Sequence, residues 1–179
     1  MPEHDPWVEL LDSGREHEAG AARAQRRWLE AAAAEGATLA GVLLDLAERG
    51  GPVSVGIAGG GLVRAEVAGV GADVVVLDRG SGALVLVPLR AVASVRTFEG
   101  SLPAGARPAP DGPHLVDLLA RSGERQERVV LRLLDGTAVA GVVEAAGEDV
   151  VRIGAEDPSL GSTYVSVASI GEAAVFRSG

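Results

Sequence analysis

Catalytic and metal chemistry needs particular side chains held together, and this chain of 179 residues supplies few of them. Cysteine is absent, which excludes disulfides, thiolate metal sites and cysteine nucleophiles. The histidines are His4, His17 and His114, and none carries convergent metal-ligand spacing around it. No histidine or cysteine stands ready as a base beside a serine or threonine, so nucleophilic catalysis has no visible machinery. The acid pairs Glu148-Asp149 and Glu156-Asp157 fall in turn-like stretches, where carboxylates cap backbone amides. The chain therefore reads as a non-enzyme with no catalytic residue, no metal and no cofactor.

Phosphate recognition is the next chemistry to weigh. Val55-Gly56-Ile57-Ala58-Gly59-Gly60-Gly61, followed by Val74-Val75-Val76-Leu77-Asp78, imitates a dinucleotide-binding strand, glycine loop and acid-ended strand. Arg64 occupies the position where the third glycine belongs, and residues 62–70 are too few for a crossover helix. Nucleotide binding is accordingly the weakest of the alternatives. Arg23, Arg26 and Arg27 would share one helical face, but Glu16, Glu18 and Glu30 surround them. With a net charge of −9 and a pI near 4.8, the chain repels nucleic acid unless its charges are segregated. Trp7 and Trp28 are two of the few aromatic residues and are candidate partner anchors.

The elements that must position these residues follow from composition and period. Hydrophobic residues make up 47% but aromatics only 3%, so a core must be built from Val, Leu, Ile and Ala. All sixteen basic residues are arginine, a codon bias of GC-rich, actinobacterial-like genomes. Asp5-Pro6 marks a helix start, and residues 1–35 read as a helical extension with a thin apolar stripe. Leu39, Val42, Leu43 and Leu46 hold helical register up to Gly50-Gly51. The period then changes to two, with short strands around Val53, Val63, Val74 and residues 84–95. Residues 99–112, dense in Pro and Gly, read as a linker.

After the linker the pattern begins again. Leu43 to Gly51 matches Leu115 to Gly123 at an offset of 72, and Val53, Val55 and Ile57 match Val129, Leu131 and Leu133 at 76. Gly60 falls on Gly136, Asp73 on Asp149, and Val87, Leu89 and Val92 on Val165, Val167 and Ile170 at 78. Each unit reads as a helix followed by about five strands.

Such a unit resembles the Sm-like family (Sm, LSm and Hfq proteins). Residues 61–77 look like its first motif: a glycine turn, a strand, a loop, then a polar residue leading an apolar strand. Leu89-Arg90-Ala91-Val92-Ala93-Ser94-Val95 resembles the Hfq version of the second motif, with residues 163–170 as its fainter partner. PRC-type and other small barrels of similar length give almost the same pattern. The resemblance implies RNA contact through Asp73 and Arg90 in the first unit and Asp149 in the second, where Ala168 replaces the basic residue. Arg64, Arg90 and Arg96 are then the best-placed cations. It also implies self-association through strand edges, between copies or within one chain as a pseudo-dimer.

The expected architecture is mainly β with α: N-terminal helices, then two tandem helix-plus-five-strand Sm-like small barrels. The units are 1–35 (helical extension), 36–98 (first barrel), 99–112 (linker) and 113–179 (second barrel). The expected function is a protein-interaction scaffold; the alternative is an RNA- or DNA-binding regulator. Residues 1–12 are acidic without an apolar cleavable segment, and apolar runs fall short of the roughly 18 residues a membrane helix needs. A cytoplasmic protein without membrane contact is the corresponding expectation.

Overall fold

Thr38 starts a helix because its hydroxyl oxygen accepts the Gly41 amide at 3.0 Å, satisfying one of the donors a helix N-terminus leaves open. The computed structural model describes residues 36–80, 82–98 and 105–177. Helix α1 (Leu39–Arg49) ends at Gly50, whose φ of 70° lets its amide return to the Leu46 carbonyl at 3.0 Å. Five strands follow: β1 (Pro52–Ile57), β2 (Gly61–Val70), β3 (Val74–Asp78), β4 (Ala83–Pro88) and β5 (Val92–Thr97). Helix α2 (Leu115–Glu124) opens the second set, β6 (Arg128–Leu133), β7 (Ala138–Ala146), β8 (Val150–Gly154), β9 (Ser162–Ser166) and β10 (Ile170–Phe176). The notional N-terminal helices, with Trp7 and Trp28, lie outside the described residues.

The expectation of two tandem five-stranded barrels is overturned. All ten strands belong to one antiparallel sheet, in the order β5-β1-β2-β3-β4-β10-β6-β7-β8-β9. The outer edge of β4 is taken by β10 from the other half, with Leu86 opposite Ala173 and Leu84 opposite Val175. An unpaired edge is a row of unsatisfied amides and carbonyls, and pairing β4 with β10 satisfies one such row from within the chain. Strands β5 and β9 are left at the two ends.

Two clusters of buried side chains lie along this sheet. The first joins Leu43 and Leu46 of α1 to Val53, Val55, Val63, Val75, Leu77, Val85 and Val87. The second joins Leu115 and Leu119 of α2 to Val129, Leu131, Val151, Ile153, Val165 and Ile170. It also includes Val74 and Leu86 from the first half, with Val76 packed against it. Successive side chains of a strand point to opposite faces, so the β3–β4 hairpin gives one face to each core. Its unbroken Val74-Val75-Val76-Leu77 run is the composition that such a doubly covered strand requires.

The two halves place like elements at like positions. The helix N-caps Thr38 and His114 are 76 residues apart, as are the first residues of β3 and β8. The register shifts in β2 at Val67/Gly69 and in β7 at Val143/Ala145 keep the same separation. The helix match at 72 is therefore one turn out of register. Leucines recurring every three or four residues match themselves when slid by a turn of 3.6, whereas the buried Leu43 and Leu119 fix the true correspondence.

The segment 105–112, read as linker, contains no helix or strand, yet it begins tied to α1. Gly105 donates its amide to Asp45 at 2.9 Å, and Arg107 reaches Asp45 at 2.8 Å and Glu48 at 2.7 Å. Both carboxylates hold the Arg107 pKa above its ordinary value, with Glu48 the larger cause.

Candidate functional site

The residues singled out from sequence separate into three places. Asp73 and Arg90 fall at the joint between the halves. Asp73 ends the β2–β3 turn, and its carboxylate accepts the Leu115 amide at 2.7 Å, capping α2 of the second half. Beside it, Ala72 donates to the Pro113 carbonyl at 3.1 Å, and any side chain at Gly71 would strike that same oxygen. Arg90 sits in the short turn Leu89–Ala91, and its guanidinium donates to the carbonyls of Val167 and Ile170. The two residues of the first half that the resemblance gives to RNA are thus engaged in holding one half to the other.

Asp149 occupies the corresponding β7–β8 turn. Its carbonyl accepts the Val167 amide at 2.8 Å, as the Asp73 carbonyl accepts that of Leu89 at 2.7 Å. Asp149 itself is exposed, and among the described residues no α-helix follows it to be capped.

Arg64 and Arg96 are brought together. Arg64 of β2 and Arg96 of β5 are both register partners of Ser54 on β1, so all three share one row and one face. Two strand spacings separate the arginine backbones by about 10 Å. Both arginines are exposed, while Ser54 between them is buried. Glu66, two residues along β2 on the same face, is exposed too, so the row is a mixed-charge surface.

The glycine-rich decoy resolves into a hairpin. β1 and β2 are antiparallel neighbours with Ile57 opposite Gly61, so no crossover helix can lie between them. Gly59 has φ +92°, and a methyl group there would also collide with the Leu134 carbonyl oxygen across the joint. The depression beside this turn is lined by Arg79 and Arg132, and Arg132 is ion-paired with Glu172 at 3.1 Å. Among the described residues no group of three His, Asp or Glu side chains converges as a metal site. No helix there is long and apolar enough to cross a membrane.

Sequence reasoning overlooked the open face of the β8–β9 hairpin, which carries Val150 and Tyr164, and the apolar residues Leu39 and Phe98 at the opposite end. The signal lay in the repeat: at the correct offsets Val150 answers to Val74, Tyr164 to Leu86, and Leu39 to Leu115. Comparison of the chain with protein-family models, with curated proteins and with solved structures finds no match.

Proposed function

We propose that this is a non-enzymatic binding and assembly protein, a scaffold whose working surfaces are the two ends of its sheet. One observation carries the reading: the sheet is open, with β5 and β9 at its edges, while the β4 edge is consumed in joining the halves. Neither edge strand contains a proline, and β5 carries one charge, Arg96, so neither is strongly blunted against pairing. A duplicated, Sm-like origin belongs to the same proposal. It is supported by the helix-then-five-strand order and the matching register shifts of the two halves. The Trp7 and Trp28 arm is proposed as a second contact region for a protein partner.

Light scattering across a wide concentration range tests the self-association in this reading. The expected mass rises in multiples of the 18.1 kDa chain. A mass fixed at one chain throughout sinks it.

The row of Arg64 and Arg96 favours the alternative of RNA or DNA binding. Filter binding of short oligonucleotides at about 50 mM salt discriminates, because phosphate contacts are strongest at low salt. Retention that disappears in an Arg64→Ala, Arg96→Ala chain would turn the reading to nucleic acid. No retention removes the alternative.

A further inference from the structure

A cavity of about 180 Å³ beside the C-terminal end of α2 is lined by both halves of the chain. Val76, Leu84 and Leu86 of the first half, with Leu118 and Val175 of the second, give it apolar walls. Arg121, Arg125 and Arg177 also line it, together with one carboxylate, Glu127. The lining thus has an excess of two positive charges, on a chain whose net charge is −9. Cations suit the last turn of a helix, which accounts for Arg121 and Arg125 singly. It does not account for two like charges four residues apart, where they repel, nor for Glu127.

Glu127 is the group that calls for a ligand. It is 7% exposed, and among the described residues no ion pair or hydrogen bond holds its carboxylate. None holds the side chains of Arg121, Arg125 or Arg177 either. A buried charge without a bonded partner is costly. Residues 127 and 177 lie one step beyond the Arg128–Phe176 pair, on the face where Val129 and Val175 are buried. The chain reaches that place through Gln126, whose φ of 54° is left-handed, alone among the non-glycine residues described.

The first half builds the same corner without a site. Gly50 and Gly51 stand 76 residues before Gln126 and Glu127, and Gly50 has a φ of 70°. Both halves keep the left-handed turn, but only the second gives it side chains. Val42 and Asp45 are the α1 equivalents of Leu118 and Arg121, and they are covered from within the chain. A side chain at Gly105 would strike Val42, and Arg107 pairs with Asp45 at 2.8 Å. On α2 the charge is reversed and both positions open onto the cavity. A group that serves α2 as Arg107 serves α1 therefore carries a negative charge.

We propose that this cavity binds a free α-amino acid with an apolar side chain. Its carboxylate sits between the guanidinium groups of Arg121 and Arg125, and its ammonium donates to Glu127. Its side chain lies on Leu84, Leu86 and Val175. A simple anion leaves Glu127 without a donor, and a simple amine leaves the arginines without an acceptor. A small molecule with both charges and an apolar body answers the whole lining. The size agrees, since pockets for drug-sized ligands begin at about 300 Å³ and this one is smaller. The site is separate from the edges of the sheet, so it stands or falls independently of the assembly reading.

Calorimetric titration of the full chain with leucine, valine and phenylalanine is the test. Two cut-down leucines accompany them: isocaproate, which lacks the ammonium, and isoamylamine, which lacks the carboxylate. A site that bonds to a ligand group rejects the analogue without it, because its own buried group is left unpaired. At least one amino acid is expected to bind in the millimolar range or below, with both analogues weaker by roughly tenfold or more. No heat with any of the three amino acids overturns the proposal. So does isocaproate or isoamylamine binding as tightly as the best of them. Glu127→Gln keeps the shape and removes the charge, and should weaken amino-acid binding by roughly tenfold. Glu124→Gln, an exposed acid outside the lining, should leave it unchanged. An equal response of the two variants counts against the assigned role of Glu127. Melting curves check that each variant folds. Should Glu127→Gln fail to fold, the discrimination among ligands by the unaltered chain decides the matter.

Discussion

The joint between the halves and the open end of the sheet are built from the same turn, the same hairpin and the same two strand positions, yet one is sealed and the other is bare. At the joint, the Asp73 carboxylate caps a helix, Arg90 reaches across to two carbonyls, and Val74 and Leu86 are buried. At the open end Asp149 is exposed, Ala168 has no side-chain donor, and Val150 and Tyr164 face outward. The difference teaches where stability and association divide. Identical positions contribute to folding when the partner lies on the same chain, and are free to serve binding when it does not.

The largest separation between the two regions is expected in the core. Leu86→Ala should cost about 2–5 kcal/mol in denaturant unfolding, because its side chain is buried in the second core. Tyr164→Ala, the same position at the open end, should stay within about 0.5 kcal/mol. Equal losses at both would break the comparison.

Arg90→Ala comes next, at about 1–2 kcal/mol, since it leaves the carbonyls of Val167 and Ile170 without their charged donor. The reciprocal change, Ala168→Arg, should leave unfolding unchanged and raise self-association by roughly tenfold, read by sedimentation. Asp73→Ala should then cost about 1 kcal/mol as a lost helix cap, with Asp149→Ala silent in the same melt.

The smallest effect is in acid. The Asp135 carboxylate accepts the Thr137 amide at 2.8 Å, which holds its pKa below the ordinary carboxylate value. A carboxyl whose folded pKa is depressed stabilises fully above its unfolded value, about 3.9, and loses that contribution as pH falls through the folded one. The stability gap between the native chain and Asp135→Asn should therefore be greatest above about pH 4 and narrow in stronger acid. A gap that widens on acidification would assign the turn's stability elsewhere. At the matching place in the first half, Gly59 has no carboxylate and packs on Leu134 instead, so no such acid sensitivity arises there.

Much of the local structure was legible in the sequence. The helical register of Leu39, Val42, Leu43 and Leu46, its stop at Gly50-Gly51, the change of period after Gly51 and the restart beyond the linker all follow from periodicity, glycines and alternation. Closure was not legible. A period of two says which face of β4 is buried but not which strand lies beside it, and both faces of Val74-Val75-Val76 are apolar. That run was the available sign that the hairpin touches two cores. The site fared similarly: Asp73 and Arg90 were singled out on their types and positions, but their partners lie 42 and at least 77 residues away. Such separations carry no local pattern.

The position of β10 has a consequence for how the chain is made. Of the ten described strands it is the last in chain order, yet it lies in the interior of the sheet, bridging β4 and β6. Until Ile170–Phe176 has left the ribosome, neither half has its inner edge covered, and α2 has only part of its seat. A nascent chain stalled or nicked before residue 170 would hold two sticky margins apart with nothing to join them. Such a fragment would be a ready target for chaperones and a seed for aggregation.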